Sequence, residues 1–196
     1  SCLVGSEMCI RDRSWAGLQA VIATAQQAGV AVNVSLSCSF GCPMEGDVPV
    51  DEVFAWVQRF VAAGVQGLTL CDTTGMAHPR QVHAMVQAFK ARWPATTLTL
   101  HFHDTRGMAL ANVLAAIDAG ADRFDASVGG LGGCPYAPGA SGNACTEELV
   151  HALQLMGYDT GVDLAALTQI AAGLPGLLGH DIPSPIVKAG PAHQLH

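Results

Sequence analysis

With 196 residues, half of them hydrophobic and only 13% charged, the chain has the composition of one globular domain with a sizeable core. A formal net charge of -7 with nine Lys and Arg residues argues against a nucleic-acid surface, and no apolar run is long enough to cross a membrane. Seven cysteines without a dense, regular framework favour reduced thiols and a cytoplasmic location over a set of disulfides.

The first segment, residues 1–13, fits neither helix periodicity nor strand alternation. Its sequence resembles the translated read ends that occur at the termini of environmental gene sequences, so we interpret it as a non-native leader. A frayed terminus is the alternative. We expect residues 14–196 to belong to a single domain.

The rest of the chain alternates predicted helices with predicted strands. A helix that ends at an Ala-Gly pair is followed directly by a β-rich segment, because glycine accepts the left-handed conformation that closes a helix. This junction occurs at Ala28-Gly29, Ala63-Gly64 and Ala119-Gly120, and Pro94 marks a fourth. The predicted strands span residues 30–37, 68–72, 98–103 and 123–128.

Helices between the strands are predicted from apolar residues spaced three and four apart. One helix carries Val53, Trp56, Val57, Phe60 and Val61, and another carries Val82, Met85, Val86 and Phe89. We expect these helices to start near Asp51 and Pro79.

Alternating strands and helices with short connections predict an α/β fold with a parallel sheet and right-handed crossovers. The residues that could carry chemistry fall just after the strands, as they do on the active face of a TIM (β/α)8 barrel. Four strands make half of such a barrel, which needs eight strands in about 250 residues. A flavodoxin-like doubly wound sheet is the alternative, but it normally has a phosphate loop after its first strand, and the sequence shows none there.

Two histidines end the third predicted strand in the sequence H-F-H-D. Because side chains alternate along a strand, His101 and His103 lie on one face. Two imidazoles on one face indicate a metal site, and Asp104 matches the group expected to orient such ligands. The alternative is a polar barrel interior without a metal.

A glycine-rich run follows the fourth predicted strand. Residues 128–143 read V-G-G-L-G-G-C-P-Y-A-P-G-A-S-G-N, with Cys134 near the middle. So much glycine around one cysteine is typical of a loop that closes over a substrate.

Four motifs occur in an order that identifies a family. They are S-C-S-F-G-C-P-M-E-G at 37–46, L-C-D-T-T-G at 70–75, H-F-H-D-T-R-G-M-A-L-A-N at 101–112 and the glycine-rich run. From about Trp15 onward the chain resembles the 3-hydroxy-3-methylglutaryl-coenzyme A (HMG-CoA) lyases. The resemblance implies a partial TIM barrel of about the last four βα units, with the N-terminal half missing. It also implies cleavage of HMG-CoA to acetyl-CoA and acetoacetate with Mg²⁺ or Mn²⁺.

The resemblance also implies site residues and partners. It implies metal ligands at His101, His103 and Asn143, catalytic groups at Cys134, Asp72 and His101, and substrate contacts at Arg106, Gly132 and Gly133. The family's remaining metal aspartate and its neighbouring arginine lie on the first barrel strand, so we expect the given chain to be inactive alone. The expected partner is an acyl-CoA substrate, and the full-length form is a candidate homodimer.

Several of these residues have a structural alternative. Asp72 fits a cap of the turn that follows it, Asn143 fits a turn or cap before Thr146, and Cys134 fits a small buried side chain. Arg106 replaces the tyrosine of many family members, and it fits either an anion contact or a solvated side chain at a helix start. Because of this departure, a lyase that acts on longer 3-hydroxy-3-alkylglutaryl-CoA substrates is an alternative. A non-catalytic binding or scaffold fragment is the rival from another functional class.

Overall fold

The fold is given by a computed structural model, which describes residues 8–133, 139 and 142–192, with side chains described from Ser14 onward. The elements in chain order are α1 (Met8–Gln27), β1 (Asn33–Leu36), α2 (Val50–Ala62), β2 (Gly67–Asp72), α3 (Pro79–Arg92), β3 (Thr97–Phe102), α4 (Ala109–Asp118), β4 (Phe124–Asp125), a 3₁₀ turn (Val128–Gly130), α5 (Thr146–Leu155), α6 (Leu164–Leu178) and α7 (Pro185–Ala189). Among the described residues, no helix is long and apolar enough to span a membrane.

Helix α1 begins inside the segment whose pattern predicts neither helix nor strand. Its first residue is Met8, so residues 8–13 are helical without a helical pattern of their own. Extending an existing helix by one residue costs little compared with starting one, and the strongly helical stretch after Ser14 therefore carries the helix toward the N-terminus. The non-native origin of residues 1–13 stays a prediction.

The strands form one parallel, four-stranded sheet in the order β1-β2-β3-β4. All four predicted strands are present. β4 is shorter than predicted because the chain leaves the sheet after Asp125, and Ser127 makes only an isolated bridge to Cys145. The sequential order lacks the reversal of a doubly wound sheet, so the flavodoxin-like alternative does not match the described strands.

The two faces of the sheet differ in chemistry. One face carries apolar side chains that join α2, α3 and α4 in the core, among them Leu68, Leu70, Leu98, Leu100 and Phe102. The opposite face carries polar side chains: Ser35, Thr69, Thr99, His101 and Asp125. This face is partly open to solvent, because Ser35 and Asp125 are exposed and Thr99 is half-buried.

The apolar spacing predicted for the helices is confirmed. All four α3 positions are at most 1% exposed, and in α2 the side chains of Val53, Val57 and Phe60 are buried. Helix α3 starts at Pro79, as predicted. The preceding residue, His78, caps the helix, because its side chain accepts a hydrogen bond from the Gln81 amide. Helix α2 starts at Val50, one residue before the predicted position.

Candidate active site

The loops that follow the strands are joined to one another at the carboxyl edge of the sheet. The Cys38 amide donates to Thr73 Oγ1 over 2.9 Å, and the Asp104 amide donates to the Gly142 carbonyl over 3.0 Å. Cys38 has a φ of 55°, which is uncommon for a residue other than glycine. Strained backbone of this kind often occurs where a loop holds a functional group in place.

The two predicted histidines lie side by side at this edge. Their ring centroids are 5.1 Å apart and the rings meet edge to face. His103 is only 6% exposed, and its Nδ1 atom is buried without a hydrogen-bond partner. Burial, with a smaller contribution from His101, lowers the pKa of His103 to about 4. At neutral pH the His103 imidazole is therefore uncharged, which is the form that binds a metal.

Asp125 is the acid that contacts His101, one of the two histidines. Its Oδ1 atom meets Nδ1 of His101, and the two residues are partners in the β3–β4 ladder. We had expected Asp104 to orient the histidines, but its Oδ1 instead accepts a hydrogen bond from the Ala109 amide over 2.8 Å at the start of α4. The expectation for Asp104 is wrong because a carboxylate just before a helix satisfies free backbone amides. The sequence offered only a weak signal for Asp125, its place in the next predicted strand, residues 123–128.

Asn143 lies directly beside His103, because the two residues form an isolated antiparallel bridge. Its side-chain nitrogen, Nδ2, donates to the Leu131 carbonyl over 2.6 Å and to the Gly132 carbonyl over 3.3 Å. Its Oδ1 atom is buried without a partner. Asn143 does not cap α5, because that helix has no side-chain cap and the Asn143 side chain donates to residues 131–132 instead. A Cβ at Gly132 would lie 2.5 Å from this amide, so the close approach requires glycine.

Asp72 ends β2 and is 1% exposed. Its Oδ1 atom accepts a hydrogen bond from the Met76 amide over 2.7 Å, so the turn-capping interpretation is confirmed for this oxygen. Its Oδ2 atom is buried without a partner. Burial is the largest cause of a raised pKa of Asp72, and the backbone amides of Met76 and Ala77 and the charge of Arg106 oppose the rise.

The side chains at this edge fit a divalent cation with open coordination positions. In the described part of the chain, no three His, Cys, Asp or Glu side chains lie together as a ligand set. What the fold does bring together is an uncharged imidazole and a side-chain amide oxygen, His103 Nδ1 and Asn143 Oδ1, each buried and without a partner. Unpaired buried polar atoms are costly, and a cation would satisfy both. Mixed nitrogen and oxygen donors suit Mg²⁺ or Mn²⁺ better than a closed zinc site.

The predicted substrate contacts lie in two different loops, after β3 and after β4. Gly132 and Gly133 line a cleft of about 560 Å³ together with Lys188 and residues 180–183. Arg106 lies in the loop after β3, where its Nη1 atom donates to the Thr74 carbonyl over 3.0 Å and to the Gly75 carbonyl over 2.9 Å. The predicted catalytic residue Cys134 lies outside the described residues.

Glu147 was not predicted from the sequence, although the fold buries it completely at 0% exposure. Both carboxylate oxygens accept a hydrogen bond from the Gly129 amide over 3.0 Å, and the Cys145 thiol donates to Oε2 over 3.0 Å. Gly129 lies where the glycine-rich run begins, with a φ of 68°. Glu147 therefore anchors the start of this run to α5. Burial, followed by the Glu147 hydrogen bond, raises the pKa of Cys145 to about 12.

Replacing Glu147 with alanine is expected to lower the free energy of unfolding by about 2 to 3 kcal/mol, because the Gly129 amide and the Cys145 thiol lose their buried partner. Urea denaturation followed by circular dichroism measures the change. Glu147→Gln is the matched control, since its side chain has the same length and keeps one oxygen for the Gly129 amide. A loss no greater for alanine than for glutamine would contradict the anchoring role.

The chain is similar in sequence to several known lyases. It is 46% identical over 160 residues to the hydroxymethylglutaryl-CoA lyase of Bacillus subtilis, covering 82% of this chain and 54% of the relative. It is 42% identical over 165 residues to the (R)-citramalyl-CoA lyase of Chloroflexus aurantiacus, covering 84% of this chain and 52% of that relative. An HMG-CoA lyase from Acinetobacter baumannii, solved with coenzyme A and 3-methylmalate, has a TM-score of 0.89 and 48% identity, and the match covers 94% of this chain and 60% of that one.

The matches cover most of this chain but only part of each relative, so the chain spans about half the length of the curated relatives it matches. The model of the HMGL-like family matches residues 6–173, which is well over half of the chain. The chain belongs to the HMGL-like family.

Proposed function

We propose that the chain forms about the last four βα units of a TIM-barrel lyase. Three features support this assignment. The strands of the parallel sheet follow one another in chain order, helices pack on one face of the sheet, and polar side chains lie on the other. In a closed barrel the polar face would line the interior at the catalytic end, and the remaining strands would come from the part that this chain does not cover in its relatives. The completed chain is this chain joined to the N-terminal half of the Bacillus subtilis relative.

The reaction we propose is cleavage of HMG-CoA to acetyl-CoA and acetoacetate. The observation that carries the proposal is a pair of buried atoms without a hydrogen-bond partner, His103 Nδ1 and Asn143 Oδ1, which could bind a metal. They lie at the carboxyl edge of the sheet, and the relatives of the chain are named lyases. Cleavage of a carbon–carbon bond next to a tertiary hydroxyl needs that hydroxyl held and deprotonated. A cation on the two ligand atoms would hold the hydroxyl, and a buried carboxylate such as Asp72 would take its proton.

The proposed metal ligands are His101, His103 and Asn143. A bound Mg²⁺ or Mn²⁺ would polarise the substrate hydroxyl and lower its pKa. Asp125 would hold the His101 ring in position, since the two side chains are already in contact. With its Oδ2 atom buried and unpartnered, Asp72 is suited to take up the hydroxyl proton.

We assign the return of a proton to the enolate of acetyl-CoA to the Cys134 thiol. Support comes from the described residues before and after it, because the Asn143 side chain donates a hydrogen bond to the Gly132 carbonyl. A thiol carried on a closing loop protonates the enolate without admitting bulk water.

The cleft beside Gly132 and Gly133 is the proposed entry for the acyl-CoA. Lys188 also lines this cleft and supplies a positive charge for an anionic acyl-CoA. The Acinetobacter baumannii relative was solved with coenzyme A, which supports an acyl-CoA partner for this chain. A homodimer of the complete protein and a cytoplasmic location stay predictions.

A second candidate function is cleavage of a different 3-hydroxyacyl-CoA. The relative named (R)-citramalyl-CoA lyase is 42% identical to this chain, nearly as similar as the HMG-CoA lyase at 46%. The rates with HMG-CoA, citramalyl-CoA and longer 3-hydroxy-3-alkylglutaryl-CoA esters distinguish these functions in the completed chain. A folded completed chain that cleaves none of them would instead indicate a binding or scaffold fragment.

Replacing Asp125 with asparagine is expected to weaken Mn²⁺ binding by the completed chain by about 10- to 100-fold, because the His101 ring loses the charged group that orients it. Isothermal titration calorimetry measures the affinity. Asp122→Asn is the matched control, since Asp122 lies three residues away and pairs with Lys90 on the surface. Equal losses in both variants would contradict the role of Asp125.

A further inference from the structure

Arg106 connects two neighbouring loops at the catalytic edge. It belongs to the loop after β3, whereas the two carbonyls that it contacts belong to the loop after β2. Both hydrogen bonds come from the same guanidinium nitrogen, at 3.0 Å to Thr74 and 2.9 Å to Gly75. Bonds from a charged donor to backbone carbonyls are among the stronger hydrogen bonds in proteins.

The two loops also pack together without spare space. Gly75 has a φ of 64°, and a Cβ added there would lie 2.8 Å from Thr105 Cβ and 3.0 Å from the Thr105 amide nitrogen. The backbone amide of His103 donates to the Asp72 carbonyl over 3.3 Å. The turn that starts at Asp72 is therefore held at its first residue by His103 and at residues 74–75 by Arg106.

The position of the Asp72 carboxylate depends on this turn. Its Oδ1 atom accepts a hydrogen bond from the Met76 amide. Met76 directly follows Thr74 and Gly75, whose carbonyls accept the hydrogen bonds from Arg106. The carboxylate thus rests on a segment that Arg106 supports, and any shift of residues 74–76 moves Oδ2 relative to the histidine pair. A displacement of about 1 Å at a catalytic group is enough to cost on the order of 100-fold in rate.

We propose that Arg106 is a positioning residue that holds the Asp72 turn against the histidine-bearing strand, and that it does not bind a substrate anion. The proposal rests on the proposed lyase function and adds a role for a residue that was first expected to contact the substrate. Nη1 already donates to two carbonyls, and these bonds direct it toward the loop after β2.

The kinetic test compares Arg106→Ala and Arg106→Lys in the completed chain. A positioning role predicts that alanine lowers kcat by about 10- to 100-fold while KM for the acyl-CoA changes by less than about twofold. Lysine should restore part of kcat, because its ammonium group can donate to one carbonyl. A raised KM with unchanged kcat would overturn the proposal, since that result marks a uniform substrate contact.

A second measurement does not depend on catalysis. Hydrogen–deuterium exchange of the given chain should show residues 74–77 exchanging about tenfold faster in Arg106→Ala, because two hydrogen bonds that restrain this turn are lost. Arg80→Ala is the matched control, since Arg80 is an exposed arginine at the start of α3. Unchanged exchange in Arg106→Ala would overturn the proposal, even in an active enzyme. Faster exchange in a completed chain without lyase activity would leave the loop-holding role and reject only the proposed reaction.

Discussion

Replacing His103 with alanine is expected to weaken Mn²⁺ binding by the completed chain by more than about 100-fold. Losing a partner that only orients a metal ligand costs about 10- to 100-fold, and losing the ligand itself costs more. His103 is the better choice of the two histidines, because its Nδ1 is buried without a partner whereas His101 contacts Asp125. Isothermal titration calorimetry with Mn²⁺ measures the loss.

The matched control for this variant is His83→Ala. His83 lies on α3, where its Nε2 atom pairs with Asp118 over 3.1 Å at the surface, away from the strand ends. This variant should bind Mn²⁺ with unchanged affinity. If His103→Ala bound Mn²⁺ as tightly as His83→Ala does, His103 would not be a ligand, and the buried Nδ1 atom would need another explanation.

Replacing Cys134 with serine is expected to lower kcat by about 100- to 10,000-fold, the usual contribution of a positioned proton donor. A serine hydroxyl has nearly the same size but is a far weaker acid than a thiol, so proton delivery to the enolate should fail. Steady-state acetyl-CoA release from HMG-CoA by the completed chain measures the loss.

The internal control for Cys134→Ser is metal binding. The proposed ligands lie elsewhere, at His101, His103 and Asn143, so the Mn²⁺ affinity should stay unchanged in this variant. Full activity of Cys134→Ser would contradict the assignment of the thiol as the proton donor. Loss of Mn²⁺ affinity together with activity would instead indicate that the substitution disturbs the whole glycine-rich run.

The core and the sheet were predictable because their signals are local. Alternation along β3 separates Leu98 and Leu100 from Thr99 and His101, and this pattern alone assigns the two faces. The apolar spacing of α3 identified its buried residues for the same reason. The helical state of residues 8–13 was missed, because a helix extends into sequence that has no helical pattern of its own.

The placement of the histidine pair was also predictable, but the partners were not. Asp104 is adjacent to His103 in sequence and was expected to orient the pair, whereas Asp125 is adjacent to His101 in space through a parallel ladder. The identity of a ladder partner depends on strand register. Register was not specified by the sequence of β4, which contributes only two residues to the sheet.

Glu147 shows a different limit. In the sequence it stands with Glu148 in the first turn of a helix, where acidic residues are common because they complement the helix dipole. Only the return of the chain from β4 toward α5 brings the Gly129 amide to its carboxylate. A buried role for one of two neighbouring glutamates therefore follows from the tertiary structure and has no signal in the local pattern.

The most direct test of the proposed metal-dependent lyase is acetyl-CoA release from HMG-CoA by the completed chain, measured in EDTA and again after Mg²⁺ or Mn²⁺ is restored. We predict no release in EDTA and recovery with either cation, because His103 and Asn143 are proposed ligands of the ion that would activate the substrate hydroxyl. Release that persists at the same rate in EDTA, or a folded completed chain that stays inactive with the cation restored, would contradict the proposal.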